Sequence, residues 1–252
     1  MNRRRGFSGG RLLVGLAIAA FALISYFGSK EYNPVTQEEQ YVGITPEQEI
    51  ALGLQAAPQM EAEFGGIHPD SNAQQLLDSV CRNLISGSDA GQAEWPYECT
   101  LLVDDETINA FALPGGQLYL TAGLYNRLQS EGQLAGVLAH EIGHAVARHS
   151  AQQIARQQLT QGLTGAVIIA SYDPENPNSA ATGQMAAVVG QLLTMRYSRE
   201  HELEADRLGV HLMSQAAYDP RMLIDVMRIL VEANDGQAYR SFSAPIPIPA
   251  IG

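Results

Sequence analysis

The stretch "LAHEIGHAVARHS", Leu138 to Ser150, carries three of the chain's six histidines. His140 and His144 bracket Glu141 in an H-E-x-x-H pattern, and on a helix this spacing stacks two imidazoles one turn apart on one face. Neutral imidazoles suit Zn²⁺, which prefers tetrahedral nitrogen and oxygen donors. Glu141 would then sit beside the ion without binding it. Zinc lowers the pKa of a bound water towards about 7, so a neighbouring carboxylate can take its proton. Two histidines do not complete such a site, because a catalytic zinc has three protein ligands.

The third ligand must come from elsewhere. The longer metzincin motif would need glycine at 147 and histidine at 150, where this chain has Ala147 and Ser150. "YSREHELEADRLGVHLM", Tyr197 to Met213, offers Glu200, Glu202 and Glu204. On a helical wheel Leu203, Ala205, Leu208, Gly209, Val210, Leu212 and Met213 mark a broad apolar stripe with Glu202 at its centre. Asp206 lies one turn on, while Glu200, Glu204, Arg207 and His211 fall on the polar side. Carboxylates on a buried stripe are costly unless a cation or strong donors compensate. Glu202 as zinc ligand and Asp206 as acceptor for a ligand histidine's other N–H resolve both costs. The competing reading is a solvated Glu202 paired with Arg199.

These side chains need helices to hold them. Ser130 with Gln133 reads as a capping box opening a helix that runs through His149, with Leu134, Leu138, Ile142 and Ala145 as its core stripe. Gly136, Ala139, Gly143 and Ala147 beside the histidines leave room for a close partner. His149, half a turn from His140, reads as a surface residue. Upstream, Thr45 and Pro46 start one helix, and "DSNAQQLLDSVCRNLIS" gives another with Leu76, Leu77, Val80 and Leu84 on one face. "YECTLLVDD" reads as a strand, and "INAFALPGGQLYLTAGLY" as two strands around a Pro114-Gly115-Gly116 turn. "GLTGAVIIAS" is too short to span a bilayer and reads as core.

Charge is divided unevenly. Residues 1–30 carry five basic side chains and no acidic one, whereas residues 31–252 carry 10 basic and 27 acidic side chains, a formal charge of −17. So acidic a body repels phosphate backbones, which argues against nucleic-acid binding. The sixteen uncharged residues Leu12 to Phe27 follow Arg3, Arg4, Arg5 and Arg11, as in a signal anchor or signal peptide over 1–29. The positive-inside rule keeps the N-terminus cytoplasmic and exports the body. The expected location is therefore a single-pass cell-membrane protein with its body on the periplasmic side, or a periplasmic protein if the leader is cleaved. Residues 30–44 read as a linker. Cys81 and Cys99 either pair or stay as two small buried thiols.

"NAFALPGGQLYLTAGL", "LAHEIGHAVARH" and "YSREHELEADRLG" together resemble the CAAX-prenyl-protease/HtpX-type zinc metallopeptidases, the minigluzincins, which include periplasmic proteases acting on outer-membrane proteins. The resemblance implies one Zn²⁺ per subunit held by His140, His144 and Glu202, with Glu141 as base and Asp206 behind the ligands. It implies an α+β, mostly α-helical metalloprotease domain over 45–235, with a small sheet whose edge strand lies over the zinc cleft. Gln117, Leu118, Tyr119, Leu120 and Thr121 are the stretch expected to receive an extended polypeptide substrate through main-chain hydrogen bonds.

The tail departs from the family. Relatives commonly carry a Ser-Thr-His-Pro segment beyond the glutamate helix, whereas residues 236–252 end in alternating Pro and Ile without histidine. Tyr197, His201, His211 and Arg240 remain as candidates to support the oxyanion, although His201 and His211 fit surface positions better. Two functions follow. One is an exported, membrane-anchored zinc endopeptidase for unfolded or misassembled envelope proteins; the alternative is a zinc-binding, chaperone-like module that has lost turnover.

Overall fold

In a computed structural model, residues 9–171 and 197–233 are described. Arg3 to Arg5, Arg240 and the 236–252 tail lie outside them. The chain divides into two compact units, each taken by itself: Asn33–Glu38, Thr45–Ser150 and Arg196–Gly252 in one, Met1–Tyr32, Glu39–Ile44 and Ala151–Met195 in the other.

The first of these holds the sheet and most helices. Helix α2 (Pro46–Glu63) starts on the expected Thr45 cap, whose side chain accepts from Gln48 while Gln48 reaches back to the Thr45 amide. Helix α3 (Ser71–Ser86) is capped by Asp70 and buries Leu77, Val80 and Leu84. Leu76 is exposed instead of sharing that face, because Ala73 and Cys81 complete the stripe. Strands β3 (Glu98–Leu102), β4 (Ala110–Ala112) and β5 (Gln117–Thr121) form a sheet in the order β3-β5-β4, with β3 parallel and β4 antiparallel to β5. A short helix, α4 (Ala122–Tyr125), follows directly.

Gln117 to Thr121 is thus the central strand, not an edge. Both sides of its backbone are paired, so this stretch cannot accept a further strand. The outer side of β3 is also occupied. Gln74 donates to the Cys99 carbonyl at 2.7 Å and accepts from the Leu101 amide at 3.0 Å, and the His68 amide donates to the Leu101 carbonyl. On β4, Asn109 and Leu113 bond to Thr121 and Gln117. The alternation of an antiparallel pair therefore turns the amides and carbonyls of Ala110 and Ala112 away from β5.

Helix α5 (Glu131–Val146) is buried from Gln133 to Val146, well beyond the four-residue stripe read from its sequence. It stops short of the expected end at His149. Arg148 adopts φ 55°, in the left-handed region, and α6 (His149–Ser171) begins afresh after it. That conformation costs an ordinary residue about 1–3 kcal/mol. It is held by a buried ion pair, Arg148 Nε donating to Glu49 Oε1 at 2.5 Å. Helix α7 (Arg199–Gln215), capped by Ser198, crosses α5, and α8 (Met222–Ala233) packs on the same core. Small residues permit the crossing. A Cβ added to Gly143 would lie 3.0 Å from the Ala205 carbonyl, and one added to Gly209 would lie 3.3 Å from the His140 amide.

The other unit contains α1 (Gly9–Gly28), of which Gly10–Gly28 is long and apolar enough to cross a membrane. Gly15 and Ala22 of α1 meet Ala166 and Gly162 of α6. In "GLTGAVIIAS", Ala166 is buried but Val167 is about half exposed, so the segment is core on one face only. The stretch 30–44, expected to be a linker, forms paired strands β1 (Lys30–Asn33) and β2 (Glu38–Tyr41). The Asn33 side chain makes the turn by accepting from the Val35 and Thr36 amides.

Cys81 and Cys99 form a disulfide tying α3 to β3, 18 residues apart in sequence. Closing a loop of this size stabilises a fold by about 3 kcal/mol. Reduction is expected to lower the urea midpoint accordingly; the same midpoint with and without dithiothreitol would contradict this.

Candidate metal centre

The crossing of α5 and α7 brings three side chains together in the interior. His140 Nε2 and His144 Nε2 face each other at 3.1 Å. Glu202 reaches them from α7, Oε2 at 3.6 Å from His140 Nε2 and Oε1 at 3.8 Å from His144 Nε2. Tetrahedral coordination with bonds of 2.0–2.1 Å separates neighbouring ligand atoms by about 3.3 Å. The observed spacings bracket that value.

The donor chemistry fits a cation as well as the spacing does. Both Glu202 oxygens are buried without a hydrogen-bond partner, an arrangement the interior disfavours unless positive charge lies nearby. Burial by itself would lower the His140 pKa, but the hydrogen-bonded Asp206, the Glu202 carboxylate 3.6 Å away and the Glu141 charge raise it to about 10. Burial and the neighbouring His140 push His144 the other way, well below its ordinary value. The pocket thus favours positive charge where the two rings meet, and a divalent cation is one way to supply it. Among the described residues, this trio is the group of histidines and acids spaced to hold a metal.

Glu141 points into the same interior. Neither of its oxygens makes a well-formed hydrogen bond. Burial raises its carboxyl to about 7, opposed by the His140 charge and by the nearby Ala112 amide. That amide is on the outward side of β4, so the sheet edge meets the acid next to the metal donors.

The profile of peptidase family M48 matches residues 71–246. The chain belongs to peptidase family M48. It is 30% identical over 210 residues to the mitochondrial metalloendopeptidase OMA1 of Schizosaccharomyces pombe, an alignment covering 81% of this chain and 58% of that protein. It is likewise 30% identical over 190 residues to the β-barrel assembly-enhancing protease of Escherichia coli, covering 73% of this chain and 38% of the relative. The chain thus spans a little over half of one relative and well under half of the other. Both are metallopeptidases of M48.

Beyond the trio, the M48 chain places the remaining candidates as follows. Asp206 Oδ1 lies 3.0 Å from His140 Nδ1, where it accepts that ring's second N–H. The Tyr197 ring stacks on His144 with centroids 4.4 Å apart, and its hydroxyl is bonded to the Ser150 hydroxyl at 2.8 Å. His201 is buried, stacked on His149 at 4.3 Å, which corrects its surface placement. His211 is exposed and paired with Asp89, apart from the trio. Leu203 and Val210, expected in the α7 stripe, are exposed because the helix buries a narrower face of His201, Glu202, Ala205, Gly209, Leu212 and Met213.

The largest correction concerns His149, which is fully buried. Its Nδ1 lies 2.8 Å from His144 Nδ1 and its Nε2 3.2 Å from Glu204 Oε2. Burial lowers its pKa, with Glu204 opposing. A wheel drawn straight through residue 149 puts it outside; the left-handed Arg148 turns it in. Ala-Arg is not a helix-breaking pair, so no local signal marks that turn.

Two substitutions test the donor set by metal analysis. Glu202→Ala is expected to abolish stoichiometric zinc, while Glu200→Ala leaves it; equal zinc in both would remove Glu202 from the site. Asp206→Asn is expected to keep the fold and weaken zinc binding by about 10–100-fold, read by chelator competition; unchanged affinity would show that Asp206 does not tune His140.

Proposed function

We propose that this M48 chain is a zinc metalloendopeptidase, anchored in a membrane by α1, that hydrolyses peptide bonds in unfolded or misassembled envelope proteins on the exported side. The observation that carries the reading is the convergence of His140, His144 and Glu202 beside a buried Glu141. One Zn²⁺ per subunit, held by those three donors, would supply Lewis acidity towards a carbonyl and towards water.

The chain's own groups do the rest. A carboxyl near pH 7 in its proton affinity can take a proton from the attacking water and hand it to the leaving amine, which is the dual role assigned to Glu141. A cation at the trio lowers that affinity and favours the base form before each cycle. Asp206 holds His140 in the tautomer whose Nε2 lone pair faces the ion. The strand assigned to an extended substrate is β4 and not β5, since the Ala110 and Ala112 main chain points away from β5 and the Ala112 amide lies near Glu141. Both alanines are buried, so a peptide has to open the cleft to reach them.

The envelope substrates rest on the basic N-terminus ahead of α1, on the disulfide, and on the name of the E. coli relative, a protease that enhances β-barrel assembly. The domain boundary at residue 45 and the divergent tail from 236 belong to the same proposal.

The test is hydrolysis of casein by the purified protein. Wild type is expected to cleave, chelation to stop cleavage and zinc to restore it. Glu141→Gln is expected to lose about 10²–10⁴-fold in rate while keeping its zinc. A zinc-loaded wild type without cleavage would instead favour the binding-module reading.

A further inference from the structure

We propose that His149 and Glu204 form a positioning relay for His144, matching the role of Asp206 behind His140, so that each histidine of the metal centre is aligned by its own acid. This rests on the metal-centre reading above. The chain runs His144 Nδ1, His149 Nδ1 at 2.8 Å, then from His149 Nε2 to Glu204 Oε2 at 3.2 Å.

The proton assignment follows from the far end. A carboxylate oxygen only accepts, so His149 must carry its proton on Nε2 to bond Glu204. Its Nδ1 is then a bare acceptor, and the proton between the two rings belongs to His144 Nδ1. That leaves the lone pair of His144 on Nε2, aimed at His140 Nε2 and Glu202. In the reverse assignment His149 Nε2 would face the carboxylate lone pair to lone pair, and His144 would present N–H to the other donors. The acid on α7 thus selects the tautomer of a ring on α5 through one intervening imidazole.

The rings are held as well as hydrogen-bonded. Tyr197 covers one face of His144 at an interplanar angle of 18°, and His201 covers one face of His149 at 16°. His149 is fully buried, whereas Glu204 keeps about a fifth of its side chain exposed. The relay therefore runs from the metal donors to the rim of the unit. Glu202 and Glu204 come from the same helix with different tasks, one facing the donors and the other facing His149.

The experiment measures zinc affinity of the full chain by chelator competition, together with the visible absorption of the Co²⁺-loaded protein. His149→Leu removes the acceptor and is expected to weaken zinc by about 10–100-fold and to alter the cobalt bands. His149→Asn can place an amide oxygen where Nδ1 stood and is expected to recover most of the affinity. Wild-type affinity in the leucine variant, or equal losses in the leucine and asparagine variants, overturns the relay. If His149→Leu does not fold, Glu204→Ala at the half-open end carries the test: a loss of affinity with shifted cobalt bands supports the relay, and wild-type behaviour overturns it. Wild type is titrated alongside. Failure of wild type to bind zinc would overturn the metal centre itself, whereas normal wild-type binding with indifferent His149 and Glu204 variants overturns the relay alone.

Discussion

A carboxylate held in the interior against two imidazoles needs a positive charge, and the surrounding helices are arranged to create that need. Glu202 has two buried oxygens without a hydrogen-bond partner, on a helix, α7, that lies close against α5. The closeness depends on residues without bulk at the crossing: Gly143 under the Ala205 carbonyl and Gly209 against the His140 amide. A desolvated acid of this kind is costly by itself and favours a cation that replaces the missing solvation. The packing of the crossing and the spacing of the candidate donors are thus set by the same few small side chains.

Around the donors, the polar groups are paired outward in sequence. His140 leans on Asp206 and His144 on His149, while Tyr197 and His201 fill the ring faces. This ordering requires α5 to end where it does. Were the helix to continue through Arg148, His149 would point about half a turn away from His140 and could not meet His144. The break is held by the Arg148–Glu49 pair, both residues buried, so α2 fixes the conformation of a residue a hundred positions later. Losing either partner removes a buried charge-assisted contact that holds the turn.

The sheet contributes through which of its sides remains available. Gln74 and the backbone around His68 occupy the outer side of β3, and β5 is paired on both sides. β4 directs the main-chain groups of Ala110 and Ala112 away from β5, and it does so where Ala112 approaches Glu141. The disulfide between Cys81 and Cys99 fastens the opposite margin of the sheet to α3, so the strand next to the acid is supported from behind.

Much of this was legible in the residue order because helical periodicity is local. The spacing of His140, Glu141 and His144, the central place of Glu202 on an apolar stripe and the position of Asp206 one turn later all follow from 3.6 residues per turn, and the structure brings these side chains together. Caps such as Thr45 and the Pro-Gly-Gly turn between β4 and β5 are likewise local chemistry. What the tertiary structure decided were the features set by partners distant in sequence. Strand order put β5 in the middle of the sheet, since pairing depends on β3 arriving from nineteen residues upstream in register and not on the turn beside it. The hairpin within 30–44 was hidden although Asn33-Pro34 is a turn signal, because its two strands, KEYN and EEQY, are short and polar and show no apolar alternation. His149 went inside, where it meets Glu204 at the rim, because a buried ion pair with Glu49 stabilises a backbone conformation that Arg148 does not favour by itself. A local pattern can report which way a regular helix faces; where long-range electrostatics breaks the helix, only the folded chain can.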